Sequence, residues 1–301
     1  MVFFSLAFEG DKNVEEYIKL SSLADELGFY SFQIYEHIPF KPALPISFII
    51  SRYTNRIKIG AVTIPVFLYR PIQLARYLSL LHEITNGREI LAISRGAYYE
   101  LINEPVKRSI NDVVNFLKEL DDSMKRIFKL EAKAIEIYVG TSGPLLAKRA
   151  ASLEMISGIV VDMLWNPVYA RKMKEILMSS NKNRKIQLIA RPFTFIDENS
   201  DRAKSKMTEI VSSYIKKLVG NSPMLASANV KYEDLSDMKV IEEKVIPNFT
   251  ATGTIEEVLE QTAKMIEAGV DHICYGHPLS PEPLKTIKLI KDKIINYFSS
   301  Y

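Results

Sequence analysis

Eight short runs rich in β-branched and aromatic residues alternate with amphipathic stretches along this chain of 301 residues, and that alternation restricts the fold more than anything else. The runs lie at 2–8, 31–36, 57–63, 89–94, 135–140, 157–162, 186–195 and 271–276. Many are apolar throughout, as strands buried on both faces of a parallel sheet are. The stretches between them carry helix punctuation. Asn13 precedes Val14-Glu15-Glu16 as a cap, Gly28 closes that stretch, and Tyr17, Leu20, Ala24 and Leu27 recur at helical spacing. Thr254 and Glu257 form a second capping box with Gly269 as its stop, and Pro71 opens a third helix. Eight such alternations predict a single-domain α/β fold, a (β/α)8 TIM barrel, with a doubly wound open sheet as the alternative. A helix over 107–130 then joins the fourth and fifth strands. Residues 221–249 fit no strand–helix unit and read as an insertion or lid.

Charge and cysteine content narrow the function classes. Thirty-nine Lys and Arg against 36 Asp and Glu leave +3, too little to argue for a nucleic-acid partner but compatible with a locally basic pocket. The single cysteine, Cys274, sits in the apolar run His272-Ile273-Cys274-Tyr275 and reads as a buried thiol in a reducing, cytoplasmic setting. The apolar start lacks the basic residues of an export signal, and no stretch has the length of a membrane span. His37, His82, His272 and His277 show no metal-ligand spacing, so no metal is expected.

A barrel places its chemistry at the C-terminal ends of its strands. The second strand ends in Tyr35-Glu36-His37, a carboxylate beside an imidazole that could position or exchange a proton, or simply a solvated pair. The fourth ends in Ser94-Arg95-Gly96-Ala97-Tyr98-Tyr99-Glu100, where Arg95 could meet an anion. After the fifth comes Gly140-Thr141-Ser142-Gly143-Pro144. Two glycines, two hydroxyls and a helix N-terminus suit an anion, and equally suit a well-capped turn that binds nothing.

Four segments together resemble the luciferase-like flavin and deazaflavin oxidoreductases, and most closely their methylenetetrahydromethanopterin reductases that use coenzyme F420. They are LADELGFYSFQIYEHIPF, TNRIKIGAVTIPVFLYRPIQLARYLSLLHEITNGREILAISRG, IYVGTSGPLLAKRAA and TIEEVLEQTAKMIEAGVDHICYGHPLSP, which occur in the family's order over nearly the whole chain. The resemblance implies that Gly140, Thr141, Ser142 and Gly143 hold a cofactor phosphate. It also implies a non-proline cis peptide between Ala61 and Val62 that backs the cofactor ring. Glu36 and His37 take the family's Asp-His positions. Arg70, Arg95 and Lys148 offer charge to the carboxylate tail of coenzyme F420, which favours it over FMN. The implied reaction is hydride transfer between deazaflavin C5 and a small-molecule substrate, a methylene-tetrahydropterin. An FMN-dependent monooxygenase and a non-catalytic deazaflavin-binding barrel are the alternatives. Ala7 and Ala97 replace carboxylates of close relatives, leaving Glu9, Glu36 and Glu100 as candidate proton donors. A homodimer is also implied, with Leu44, Ile46, Phe48, Tyr77 and Leu81 as apolar interface material.

Overall fold

The computed structural model describes residues 2–299 apart from Glu104, Ala132, Lys133, Lys182, Gly220 and Asn221, and apart from the side chains of residues 217–219. Among the described residues there are ten strands: β1 (Phe3–Phe8), β2 (Ser31–Ile34), β3 (Lys58–Pro65), β4 (Glu89–Ser94), β5 (Glu136–Gly140), β6 (Ile156–Asp162), β7 (Gln187–Arg191), β8 (Phe193–Ile196), β9 (Thr250–Gly253) and β10 (His272–Leu279). Strands β1 to β7 pair in chain order, all parallel, and β10 pairs with both β7 and β1. The sheet therefore closes into an eight-stranded parallel barrel, and the open sheet is excluded.

The run 186–195 is two strands rather than one. Pro192 separates them, since it has no N–H for the ladder. Beyond it, Phe193 and Thr194 move over to pair with Gly276 and Pro278 of β10, and β9 adds to the outer side of β8. The sequence reading did not include β9. Its four residues, Thr-Ala-Thr-Gly, are too few to show a period.

Strand periodicity sorts the core into two layers. Leu6 and Phe8 point outward and pack among Tyr17 and Leu20 of the helix Val14–Glu26. Ala7 points inward, where Val62, Ile90, Ala92, Tyr138, Val160, Ile189 and Cys274 fill the barrel. The Asn13 and Thr254 caps form, each side chain accepting from the backbone three residues on. The helix joining β4 and β5 spans Ile110–Phe128, started by a Ser109–Asp112 capping box.

The segment read as an insertion is helical: Pro223–Ser227, a turn at Glu233–Ser236, and a nearly continuous helical stretch from Met238 to Phe249 that leads into β9. Its first residue in the sequence reading, Asn221, lies outside the described residues. Leu44, Ile46 and Leu81 are not interface material, because their helices turn them onto the chain's own core. His82 is likewise structural, its Nδ1 lying 2.6 Å from Glu89 Oε1. Among the described residues no helix is long and apolar enough to cross a membrane.

Candidate functional site

A cavity of about 550 Å³ opens at the C-terminal ends of the strands. Strands β1 to β7 each deliver residues there, from their last positions or just beyond. Glu9 follows β1, Tyr35 to His37 follow β2, and Thr63 and Pro65 end β3. Ser94 to Ala97 lie at the end of β4, and the turn Gly140 to Gly143 follows β5. Asp162 ends β6, Arg191 ends β7, and Met224 of the 223–227 helix contributes from outside the barrel.

The structure brings Glu9 and His37 together: His37 Nδ1 lies 3.0 Å from Glu9 Oε2. Tyr35 stacks on the imidazole at 5.7 Å between ring centroids, and Tyr98 meets it edge-on at 5.3 Å. With Nδ1–H directed at Glu9, the imidazole is held from three sides and Nε2 remains for chemistry.

Glu36 is differently employed. Its Oε2 accepts from the backbone N–H of Ala43 at 2.7 Å. The helix Ala43–Ile50 has Pro42 at its N-cap, with no side-chain cap of its own, so the buried glutamate serves instead. Burial raises the Glu36 pKa above the ordinary value, and the N–H groups of Ala43 and Leu44 pull it back only in part. Glu100 is exposed and does not line the cavity.

A non-proline cis peptide does occur in β3, but it joins Val62 to Thr63 rather than Ala61 to Val62. Register explains the displacement. Ile59, Gly60 and Ala61 pair regularly with Glu89, Ile90 and Leu91, and the ladder resumes at Ile64 with Ile93, so the irregularity falls on Val62 and Thr63. Thr63 lines the cavity; Ala61 and Val62 are buried behind it.

The turn after β5 is tightly built. Thr141 Oγ1 accepts from the Gly143 N–H at 2.9 Å, and Ser142 Oγ accepts from Ser222 Oγ at 2.9 Å. Tyr169 Oη donates to the Ser142 carbonyl. Gly143 is the N-cap of the helix Pro144–Ala151, with Pro at its first position as the sequence required. Of the three cations assigned to a ligand tail, Arg95 lines the cavity, donating from Nε to the Arg108 carbonyl at 2.7 Å. Arg70 and Lys148 are exposed and do not.

Sequence reasoning missed Arg108, which lines the cavity with its guanidinium 3.7 Å from the Tyr99 ring centre, and above all Arg191. Arg191 is 1% exposed. Its Nε donates to Asp162 Oδ1 at 2.5 Å, and its Nη1 donates to the Val62 carbonyl and to Gln33 Oε1. Its guanidinium carbon stands 4.2 Å from the Tyr35 ring centre. Burial pulls its pKa down, but the charge and hydrogen bond of Asp162, together with Tyr35 and Cys274, more than offset this, so the guanidinium stays above its ordinary value. The signal was available: an arginine inside an otherwise apolar strand needs a buried partner.

Residues 2–272 match the luciferase-like monooxygenase family. The chain belongs to that family. It is 24% identical to the 5,10-methylenetetrahydromethanopterin reductase of Archaeoglobus fulgidus, over 97% of this chain and 98% of the relative. Among solved structures of the family fold, the coenzyme F420-dependent tetrahydromethanopterin reductase from Methanopyrus kandleri superposes with a TM-score of 0.86 at 18% identity, covering 99% of each chain. The oxygenating constituent of a Pseudomonas putida 3,6-diketocamphane monooxygenase in complex with FMN superposes with a TM-score of 0.73 at 15% identity, over 98% of each chain.

Proposed function

We propose that this protein is a coenzyme F420-dependent oxidoreductase that passes hydride between the deazaflavin and a methylene-tetrahydropterin. The observation that carries the reading is one cavity that unites the Gly140–Gly143 turn, the irregular end of β3 and the His37–Glu9 pair, in a chain similar end to end to such reductases. The residues present fit a large flat cofactor with a phosphate. A Cβ at Gly140 would stand 2.4 Å from Thr63 Cγ2, so only a glycine permits this close floor. The Gly143 N–H is taken by Thr141 and Pro144 has none, so the first-turn N–H groups of the helix behind, at Leu145 and Leu146 on the cavity wall, are the ones left for an anion.

The cofactor, when bound, supplies the hydride chemistry at its ring carbon. The chain's own residues do the rest. Gly140, Thr141, Ser142 and Gly143 hold the phosphate, with Arg95 at the mouth for tail carboxylates. Thr63, with Ala61 and Val62 behind it, backs the ring. Glu9 orients His37, leaving Nε2 as the atom that would take or give a proton. Glu36 keeps the loop after β2 in place. Assembly as a homodimer belongs to the same reading, with Ile49, Ile72, Tyr77 and Leu80 as exposed apolar residues on the two helices that follow β2 and β3. Light scattering at micromolar concentration tests it; a monomeric mass would overturn it.

Fluorescence titration of the purified protein with coenzyme F420 and with FMN, followed by turnover of reduced F420 with methylenetetrahydromethanopterin, tests the function. Tighter binding of FMN would favour the second reading, a flavin monooxygenase, which the FMN-bound relative of the same fold keeps in view.

A further inference from the structure

Three carboxylates line the cavity, and two of them are spoken for. Glu9 faces His37 with its side chain 10% exposed, and Glu36 accepts backbone N–H groups. Asp162 is different. Its side chain is 46% exposed, Oδ1 is taken by Arg191, and Oδ2 has no hydrogen-bond partner among the described residues. The two residues are register partners at the ends of β6 and β7, so the pair is anchored by the barrel itself. The arginine is held as well, by the Val62 carbonyl, Gln33 and the Tyr35 ring, with its Nη2 buried and without a hydrogen-bond partner among the described residues. A carboxylate locked by a buried guanidinium cannot swing away, and it presents an acceptor in one direction.

We propose that Asp162 is a specificity residue whose Oδ2 accepts a hydrogen bond from a ring N–H of the heterocycle seated in the cavity, and that Arg191 positions it. The chemistry it selects is a cyclic amide or amidine edge with N–H beside a carbonyl or amino group. This deepens the function proposed above and rests on it, because both the deazaflavin and the tetrahydropterin carry such an edge. A ligand lacking the N–H leaves a carboxylate oxygen facing an acceptor. That is the arrangement a site uses to reject close analogues.

The test separates the two sources. Coenzyme F420 and tetrahydromethanopterin are titrated separately into wild type and Asp162→Asn, whose amide keeps an oxygen for Arg191 but turns a donor toward the ligand. Loss of a charge-assisted hydrogen bond predicts about tenfold to a hundredfold weaker binding of the ligand that Asp162 reads. A loss confined to F420 assigns the cofactor edge, and a loss confined to the pterin assigns the substrate edge. In parallel, wild type is titrated with the N3-methylated form of each ligand, which needs no variant to fold and should bind about as weakly as the parent does to Asp162→Asn. If wild type binds F420 but neither substitution nor methylation weakens either ligand, Asp162 has no such role. If wild type binds neither ligand, the proposed function fails and this assignment falls with it.

Discussion

Gly140 and Thr63 come from neighbouring regions of the barrel mouth and meet so closely that a Cβ on Gly140 would lie 2.4 Å from the Thr63 methyl. The glycine is therefore required by the closeness of β3, not by its own backbone. Gly140→Ala should destabilise the protein by about 1–3 kcal/mol through overpacking. Thr63→Ser, which removes the methyl, should restore most of the loss when combined with it. Urea unfolding of the two single variants and the double variant gives the coupling. Strict additivity would show that the contact does not govern this floor.

A second prediction concerns the His37–Glu9 pair, whose nitrogen and oxygen are 3.0 Å apart. Glu9→Gln leaves the shape but removes the charge that steadies the imidazole. On the proposed function, kcat should fall about a hundredfold, at the low end of what a positioned acid or base contributes. Binding of the cofactor should change little. Steady-state kinetics beside a titration checks this, and an unchanged kcat would remove the pair from the chemistry.

Glu36 sits beside His37 in the chain and also lines the cavity, but its carboxylate is engaged in capping the helix Ala43–Ile50. Burial raises its pKa, so ionising it costs stability in the folded protein. Its favourable share is present below the ordinary value of 4.5 and is lost as pH rises above it. Glu36→Gln, still able to accept from Ala43 N–H, should therefore gain on wild type as pH rises through that range, with activity kept within a few-fold. Thermal unfolding against pH, with activity at neutral pH, decides. A large loss of activity with the fold intact would return Glu36 to the proton-transfer candidates.

How far the sequence carried the fold follows from where its signals are strong. Apolar runs and capping boxes such as Thr254–Glu257 announce themselves locally, and they placed eight strand regions and their connecting helices. What escaped depended on partners distant in the chain. The cis step lies at Val62–Thr63 because β4 sets the register of β3. Pro192 breaks one apolar run because β10 offers β8 a second partner. Arg191 is tied to Gln33, Val62 and Asp162, which lie 158, 129 and 29 residues away. The turn at Gly140–Gly143 was legible since its glycines, hydroxyls and proline are contiguous. The Ser222 and Tyr169 hydroxyls that tie it down were not.

The last prediction tests the far end of the barrel. His272 is completely buried, with Nε2 2.6 Å from Ser5 Oγ, and burial lowers its pKa from 6.5 to about 4, against the weaker pull of Glu136 and Asp271. The folded protein thus holds this histidine neutral, whereas the unfolded chain takes up a proton below about pH 6.5. Between those two values the unfolded state binds more protons, so stability must fall as pH falls, and it is fully present only above 6.5. The gap from 6.5 to about 4 corresponds to a loss of roughly 3 kcal/mol across that window. His272→Gln, which keeps a hydrogen-bonding group near Ser5 but cannot titrate, should be less stable than wild type at neutral pH and lose less on acidification. Urea unfolding at several pH values between 6.5 and 4 measures both slopes. Parallel slopes for the two proteins would mean that His272 does not carry the acid sensitivity of the barrel.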